Sequence, residues 1–311
     1  MTTIDKYKHI KDINLTLEIA CQHFKPPEKL TVSEWADRRR VLVSDSSAEP
    51  GPWKTSRTPY LQAVMDTLTD PRVRRIVFVA SSQVGKSEAI LNIIGYIIDQ
   101  QPGGILFGHP SVEDARKFSR QRIAPMIRAC DCLKCKVSLA KGRDAANTVL
   151  QKTFPGGSLT LVGSNSASGL ASLPIKYVFG DERDRWALSA GTEGDPWGLA
   201  EARVLTFMDS KLVEVSTPTI KGHSAIEDSY VLGTQERWCH QCPACGEWHE
   251  INFDCIKFDH ECKDKKGRPV YKITELNYAC PTCGVLSSEK VMKRQPAKWI
   301  AENPEAIANG T

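Results

Sequence analysis

The feature that most constrains the fold of this chain is a short polar loop between a strand-like run and an apolar helical segment. Residues 75–80 are rich in β-branched and aromatic side chains, and residues 86–100 carry apolar side chains at helical spacing. Between them, Ala80-Ser-Ser-Gln-Val-Gly-Lys-Ser87 ends in the glycine, lysine and hydroxyl residue of a phosphate-binding loop. The pattern predicts a strand, a phosphate-cradling loop and a helix in direct succession.

Each residue at the end of this loop has a role in phosphate chemistry. Gly85 lets backbone amides close around an anion, Lys86 reaches the β- and γ-phosphate oxygens, and the Ser87 hydroxyl is a ligand for Mg²⁺. The first loop position is Ala80, where the consensus has glycine, so an ordinary helix start is the alternative. The candidate residues for nucleotide binding are Ser82, Gln83, Val84, Gly85, Lys86 and Ser87.

Two adjacent carboxylates follow a second strand-like run, at residues 176–180. Asp181 and Glu182 come directly after this apolar run. In a P-loop enzyme that hydrolyses nucleotide, the first carboxylate helps to hold Mg²⁺, and the second orients and deprotonates the attacking water. We assign these two roles to Asp181 and Glu182. A solvated acidic turn is the alternative, because residues 183–185 are also charged.

The other apolar runs indicate the fold class. Runs at residues 104–108, 158–162 and 212–216 alternate with helical segments, of which two lie at residues 112–128 and 198–207. Nearly continuous apolar strands are typical of parallel sheets that are buried on both faces. The sequence predicts an α/β fold: a mostly parallel P-loop NTPase sheet of the additional-strand, catalytic-glutamate type, flanked by helices.

The run at residues 212–216 ends in two hydroxyl residues before a proline. At the carboxyl edge of the sheet, Ser216 or Thr217 can sense the γ-phosphate and report its loss to a bound polymer. A strand that is simply stopped by Pro218 is the alternative.

The eleven cysteines include two Cys-x-x-Cys pairs, each followed by glycine. The N-terminal sequence lacks the pattern of a secretory signal, so we expect a reducing cytosol in which cysteines bind metal rather than form disulfides. Two such turns can converge on one tetrahedral Zn²⁺ and form a small zinc-ribbon-like module. The predicted ligands are Cys242, Cys245, Cys280 and Cys283, with Cys239, His240 and His249 as nearby substitutes. A second group has no evident fourth ligand and is interpreted as the end of a basic helix with partly buried thiols, with a metal or redox role as the alternative: Cys130, Cys132 and Cys135.

The charge of the chain limits how it can bind a polyanion such as DNA. The formal net charge is only +4, so affinity for a polyanion must come from local basic patches. Residues 115–122 carry four cations on a predicted helix and can contact DNA phosphates, with a solvated helix face as the alternative.

The longest apolar stretch, at residues 89–98, is too short to span a bilayer, so we expect no membrane anchor.

Taken in this order, these features resemble the large terminase subunit of tailed bacteriophages, in particular the lambda-type family that carries a zinc-binding insert before its nuclease. The resemblance covers the chain from about residue 30 onward. It also includes Gly51-Pro-Trp53, Pro59-Tyr60, Gly108-His-Pro110 and Gly163-Ser-Asn-Ser-Ala167.

The resemblance implies an ATPase that moves double-stranded DNA into an empty capsid, with ATP, Mg²⁺ and Zn²⁺ as cofactors. It implies that Trp53 and Tyr60 lie near the adenine and that Thr217 belongs to the motif that couples hydrolysis to DNA movement. The implied partners are double-stranded DNA, the small terminase subunit and further copies of the chain in a ring on the capsid portal. The implied location is the cytoplasm of the bacterial host.

The chain departs from the family pattern at two places. Family members often carry an arginine in the phosphate loop or before the acidic strand, where this chain has Ser81-Ser82 and Leu-Ala-Ser at residues 170–172. The arginine of the γ-phosphate site is therefore unassigned. The family's nuclease follows the zinc module, and the chain ends where that domain would start, so we expect a motor fragment without endonuclease activity. A protein that works without cutting DNA is the alternative.

Changes in composition predict four parts. They are an N-terminal helical segment and linker at residues 1–50, with helices near 14–24 and 31–40, a P-loop ATPase domain at 51–233, a zinc-binding module at 234–290, and a linker toward the absent nuclease at 291–311. Two other functions remain open: a helicase-like DNA-stimulated ATPase, which shares the first two motifs, and a zinc-dependent DNA-binding scaffold with an inactive nucleotide loop.

Overall fold

The computed structural model describes residues 28–44, 49–137, 147–171, 174–220, 222–263 and 267–309. The chain divides into two units between Thr31 and Val32, and the elements below belong to the second. The helix predicted near residues 14–24 lies outside the described residues, whereas the helix predicted near residues 31–40 is confirmed at Val32–Arg39.

The strands are β1 (Val41–Leu42), β2 (Gly51–Pro52), β3 (Arg75–Val79), β4 (Ile105–His109), β5 (Gln151–Phe154), β6 (Gly157–Gly163), β7 (Tyr177–Asp181), β8 (Lys211–Ser216), β9 (Arg237–Gln241), β10 (Trp248–Glu250), β11 (Ile256–Lys263), β12 (Pro269–Ala279), β13 (Leu286–Ser288) and β14 (Ala297–Ile300).

The α-helices are α1 (Val32–Arg39), α2 (Tyr60–Asp66), α3 (Lys86–Gln100), α4 (Val112–Phe118), α5 (Ala124–Ala129), α6 (Asp131–Lys134), α7 (Ala167–Ala171), α8 (Pro196–Glu201), α9 (Ala225–Val231) and α10 (Glu289–Met292). A π-helical turn at Ser119–Ile123 joins α4 to α5. The 3-10 turns are Thr55–Arg57, Thr67–Thr69, Arg183–Arg185, Ala202–Val204, Phe253–Cys255 and Pro304–Asn309.

Among the described residues, six strands form the central sheet in the order β3-β8-β7-β4-β6-β5. Only the β5–β6 pair in this sheet is antiparallel. Every residue of β4, β7 and β8 is buried, as expected for parallel strands inside a sheet. The predicted α/β class is therefore confirmed. Because β3, β8 and β7 are parallel neighbours, the loops that follow them lie side by side at one edge.

Helix α3 begins and ends where the sequence predicts. It packs against α1 through a close approach of Gly95 and the Trp35 ring: a Cβ atom on Gly95 would lie 2.3 Å from Trp35 Cη2. The Trp35 indole N–H also donates to Asp99 Oδ2, at 2.9 Å. Just downstream, β1 pairs with β2 across the predicted boundary at residue 50. Residues 32–44 and 49–52 are thus joined to the part of the chain that carries the central sheet.

A small module follows the central sheet. Within the described residues it contains two three-stranded sheets, ordered β10-β9-β14 and β11-β12-β13, in which all neighbours are antiparallel. One Cys-x-x-Cys turn links β9 to β10, and the other links β12 to β13. The two turns therefore bring the edges of separate sheets together.

The segment predicted as a linker at residues 291–311 differs in the structure. It includes β14, which pairs with β9 so that Trp299 lies opposite Trp238 and Ile300 opposite Arg237. β9 is the first strand of the module and β14 is the last, so the local composition of residues 291–311 did not indicate their pairing. The three predicted domain boundaries stay predictions. In the described part of the chain, no helix is both long and apolar enough to cross a membrane.

Candidate functional site

The loop after β3 has the backbone shape of a phosphate-binding loop. Gly85 lies at φ 86°, in the left-handed region that favours glycine. A Cβ atom there would also approach Leu61 Cδ1 to 3.0 Å. At the start of the loop, the Ala80 amide donates to the Ser216 carbonyl at 3.2 Å, which ties the loop to the end of β8. The predicted strand, loop and helix are thus present in succession.

Lys86 brings three of the predicted site residues together. Its side chain is buried, and its ammonium donates to the Ala80 carbonyl at 3.1 Å and to the Thr217 hydroxyl. The same ammonium lies 3.7 Å from Glu182 Oε1. The ends of β3, β7 and β8 therefore meet at one cation, where developing phosphate charge can be stabilised.

Asp181 ends β7 in a buried position beside His109. Burial, and then the Glu182 charge, raise the pKa of Asp181 to about 6. Its Oδ2 lies 3.8 Å from His109 Nδ1. Burial lowers the pKa of His109 to about 4, so this imidazole is neutral at pH 7 and adds no positive charge.

Glu182 adopts a backbone conformation that is uncommon for its residue type. Its φ is 50°, in the left-handed region, and such strain is often found at functional sites. Arg185 Nε lies 3.8 Å from Glu182 Oε2. This Oε2 atom is buried without a hydrogen-bond partner in the described part of the chain. An oxygen of this kind can accept a proton from a water at the site.

Comparison with known proteins identifies the family. The sequence model of "Phage terminase large subunit gpA, ATPase domain" matches residues 47–299. The chain belongs to this family. It is therefore a terminase ATPase domain, and the resemblance inferred from the sequence is confirmed.

Two curated relatives of this ATPase domain are named "Terminase, large subunit". The one from Enterobacteria phage P21 is 25% identical over 279 residues, which cover 89% of this chain and 42% of the relative. The one from Escherichia phage lambda is 27% identical over 229 residues, which cover 73% and 35%. The chain thus spans less than half the length of these relatives.

A solved structure shares the fold. The crystal structure of the HK97 bacteriophage large terminase superposes with a TM-score of 0.50 at 15% identity, and the match covers 65% of this chain and 42% of that chain. At this identity the likeness supports the fold alone.

The side chains at the sheet edge suit a magnesium ion. Mg²⁺ prefers oxygen ligands, and carboxylate and hydroxyl oxygens are available from Asp181 and Ser87. Ser87 lies in the first turn of α3, one residue after Lys86. The donor set therefore fits the predicted ion, although ligation of Mg²⁺ by these residues stays a prediction.

The two aromatic residues predicted near adenine occupy different environments. Trp53 is buried, and its indole N–H donates to Thr55 Oγ1 at 3.0 Å. Tyr60 is half-buried, and its hydroxyl donates to the Val84 carbonyl of the phosphate loop at 3.0 Å. Contact of either ring with adenine stays a prediction.

The four predicted zinc ligands lie together. The ligand atoms of Cys242, Cys245, Cys280 and Cys283 are all within 4.8 Å of one another. Cys242 Sγ is 3.8 Å from Cys283 Sγ, and Cys245 Sγ is 3.7 Å from Cys280 Sγ. Sulfurs at about 2.3 Å from a tetrahedral Zn²⁺ are about 3.8 Å apart, so the cluster fits zinc.

The other cysteine and histidine candidates do not join this cluster among the described residues. His249 Nε2 instead hydrogen-bonds with Thr282 Oγ1 of the second turn, at 3.1 Å. In the second cysteine group, Cys130 is buried and Cys135 is exposed. Burial raises the pKa of Cys132 to about 11, which is unfavourable for metal binding.

Asp184 is a structural link that the sequence did not reveal. Its carboxylate accepts hydrogen bonds from the amides of Thr219 and Ile226, both at 2.9 Å. Its own amide donates to Ser216 Oγ at 3.1 Å. The turn after Glu182 is thus tied to the segment that follows β8 and to the start of α9. These partners are distant in sequence, so no local signal could have identified them.

Glu214 is a fully buried acid in the middle of β8. Ser229 Oγ donates to its Oε2 at 3.2 Å, and Arg75 Nη1 lies 3.3 Å from its Oε1. Arg183, the residue after Glu182, lies 3.7 Å from Oε2. Burial raises the pKa of Glu214 to about 7, although the two arginines oppose the shift. The only sequence signal is a charged residue inside an apolar run.

Arg122 is a candidate for the arginine that the sequence left unassigned. It lies in the π-helical turn between α4 and α5, with Nη1 3.5 Å from Glu88 Oε1. Glu88 is in the first turn of α3, and its other oxygen pairs with Arg40 at 2.9 Å. The positive charge of Arg122 also lowers the pKa of Asp181, against the effect of burial.

Proposed function

We propose that this chain is the ATP-hydrolysing motor of a phage terminase large subunit, which drives double-stranded DNA into a procapsid. The observation that carries the proposal is the meeting of Lys86, Glu182 and Thr217 at the carboxyl edge of the sheet. Family membership and the names of the phage relatives support it.

In this proposal the phosphate loop holds the nucleotide. The amides of residues 82–87 surround the phosphates, and the Lys86 ammonium lies against the β- and γ-phosphate oxygens. The Ser87 hydroxyl and the Asp181 carboxylate would hold Mg²⁺, which neutralises phosphate charge when bound. Trp53 and Tyr60 lie near the adenine.

Glu182 is the proposed general base. It takes a proton from a water molecule as the water oxygen bonds to the γ-phosphorus, and the bond to the ADP oxygen breaks. Its buried Oε2 atom and its position 3.7 Å from Lys86 through Oε1 support this role. Thr217 shares Lys86 with Glu182, so a change in the hydrogen bonds of Lys86 can reach the segment after β8. This is the proposed coupling step.

We also propose a structural Zn²⁺ at Cys242, Cys245, Cys280 and Cys283. The sulfur spacing supports a closed tetrahedral site with no open position for chemistry. The proposed partners are double-stranded DNA, the small terminase subunit and other copies of the chain in a ring on the capsid portal. The proposed place of action is the cytoplasm of the bacterial host.

Phosphate release with and without double-stranded DNA tests the proposal. We expect hydrolysis that DNA stimulates and that Lys86→Ala abolishes, with no separation of strands in a duplex substrate. Strand separation would favour a helicase-like ATPase instead. Tight DNA binding that ATP does not change, without phosphate release from chains assembled on a portal, would favour a DNA-binding scaffold.

A further inference from the structure

Tyr60 controls the orientation of one peptide unit in the phosphate loop. Its hydroxyl donates to the Val84 carbonyl oxygen at 3.0 Å. The Val84 carbonyl and the Gly85 N–H belong to the same planar trans peptide and point in opposite directions. A hydrogen bond that holds the carbonyl on the Tyr60 side therefore turns the Gly85 N–H away from Tyr60. The loop conformation then depends in part on where Tyr60 lies.

Two tryptophans of the small module contact Tyr60. The Trp299 indole N–H donates to the Tyr60 carbonyl oxygen at 2.9 Å. The Trp238 ring meets the Tyr60 ring edge-on, with centroids 6.2 Å apart, and meets the Trp299 ring at 5.4 Å. Trp238 and Trp299 are a cross-strand pair of β9 and β14, and such pairs stabilise a sheet. These three aromatic residues form one continuous contact.

The cysteine cluster constrains β9, the strand that carries Trp238. β9 (Arg237–Gln241) carries Trp238, and the residue that follows the strand is Cys242. The Cys242 amide donates to the Glu247 carbonyl at 2.8 Å, which closes the turn into β10. A metal ion held by Cys242 and the second cysteine turn would therefore fix the end of β9. A series of contacts therefore joins this cysteine turn to the phosphate loop. It passes through Trp238 and Trp299 to Tyr60, and from Tyr60 to Val84.

We propose that Tyr60 is a positioning residue that couples metal loading of the four-cysteine cluster to nucleotide binding at the phosphate loop. The inference rests on the proposed nucleotide and zinc sites. Coupling between two ligands is reciprocal, so bound zinc strengthens nucleotide binding by the same factor by which bound nucleotide strengthens zinc binding. One hydrogen bond of this kind corresponds to a change of about 3- to 10-fold in a binding constant.

The test measures the dissociation constant of ADP by calorimetry on the zinc-loaded chain. Trp299→Phe removes the N–H that contacts the Tyr60 carbonyl, and Tyr60→Phe removes the hydroxyl but keeps the ring. We expect each variant to bind ADP about 3- to 10-fold more weakly, and the double variant to lose less than the product of the two effects. The matched control is Trp248→Phe, in the same sheet, where the ring packs under Lys298 with Nζ 4.3 Å from its centroid. The control keeps the wild-type constant.

The reciprocal measurement follows zinc release to a chromogenic chelator with and without ADP. We expect ADP to slow zinc release from the wild type and to have a smaller effect on Trp299→Phe. Zinc content shows that each variant keeps its module, and Tyr60→Phe tests the contact from outside the module. If Trp299→Phe and Trp248→Phe bind ADP alike, or if ADP leaves zinc release unchanged, the coupling does not exist. A wild-type chain that binds no ADP at all would instead overturn the proposed function.

Discussion

The Lys86 ammonium lies 3.7 Å from the Glu182 carboxylate, although the two residues follow strands that are not neighbours in the sheet. β8 lies between β3 and β7, and the Thr217 hydroxyl that follows β8 accepts a hydrogen bond from the same ammonium. The cation is therefore shared by the proposed base and the proposed coupling residue. A phosphate group that attracts Lys86 changes the surroundings of both.

Replacement of Glu182 by Gln tests the base. The amide cannot take a proton from water, so we expect phosphate release to fall by about 100-fold or more while ATP binding is retained. Steady-state phosphate release and equilibrium ATP binding check the two halves of this expectation. Glu193→Gln, at an exposed position, is the control. Near-normal hydrolysis by Glu182→Gln would show that another group is the base.

Replacement of Arg122 by Ala tests its contribution to the nucleotide site. We expect the turnover number to fall by about 10-fold or more, because a cation near developing phosphate charge is lost. ADP affinity should stay within about 3-fold, since the phosphate loop itself is intact. Arg116→Ala, on the exposed face of the preceding helix, serves as the control. Equal turnover by the two variants would remove Arg122 from the candidates.

Replacement of Cys280 by Ser tests the zinc site. We expect a zinc-to-chain ratio of about one in the wild type and loss of most of this zinc in the variant, because three thiolates leave a tetrahedral site incomplete. Metal analysis of the purified chains is the measurement. Cys135→Ser, an exposed cysteine outside the cluster, should keep its zinc. Zinc in both chains at the same ratio would place the metal elsewhere.

Glu214 predicts a pH dependence of stability. Burial raises its pKa from 4.5 in the unfolded chain to about 7 in the fold, so the folded state holds this proton more tightly. The resulting stabilisation is fully present below about pH 4.5 and is lost as the pH rises to about 7, and it amounts to about 3 kcal/mol. Denaturant unfolding between pH 4.5 and pH 8 measures it. In Glu214→Gln this part of the pH dependence should disappear. An unchanged slope would mean that Glu214 titrates normally.

Gly95 tests the packing of α1 on α3. An alanine there places a Cβ atom 2.3 Å from the Trp35 ring. We expect Gly95→Ala to lower the free energy of unfolding by about 1–3 kcal/mol, although alanine favours a helix more than glycine does. The comparison is the same substitution in a Trp35→Phe chain, where the smaller ring leaves room and the cost should be less. Equal costs in the two backgrounds would show that the ring is not the obstacle.

Local patterns were sufficient to predict the strands, the loop and the helix that carry the candidate site residues. The bounds of α3 and the positions of β3 and β7 follow from apolar spacing and from the glycine that starts the helix. The candidate residues could be named from these elements alone, because Ser87 lies in the first turn of α3 and Asp181 and Glu182 lie at the end of β7. The cysteine turns were equally local, since two residues separate each pair of thiols.

Contacts between distant segments could not be read from the sequence. Glu214 looks like a charged interruption of a strand until Arg75 and Arg183 are seen beside it. Asp184 looks like one charge among several until its bonds to Thr219 and Ile226 are known. The strand β14 is short and pairs with β9 only after the intervening module has folded. In each case the decisive partner comes from tertiary packing.

The pairing of Ile300 with Arg237 means that the polypeptide enters and leaves the small module at adjacent positions of one ladder. Changes in the length of the β11–β12 hairpin would alter how far the small module extends, but Ile300 would still pair with Arg237. Insertions are tolerated best where the ends of a segment lie together in this way. The reach of the module can therefore change in evolution while Trp238 and Trp299 continue to meet Tyr60.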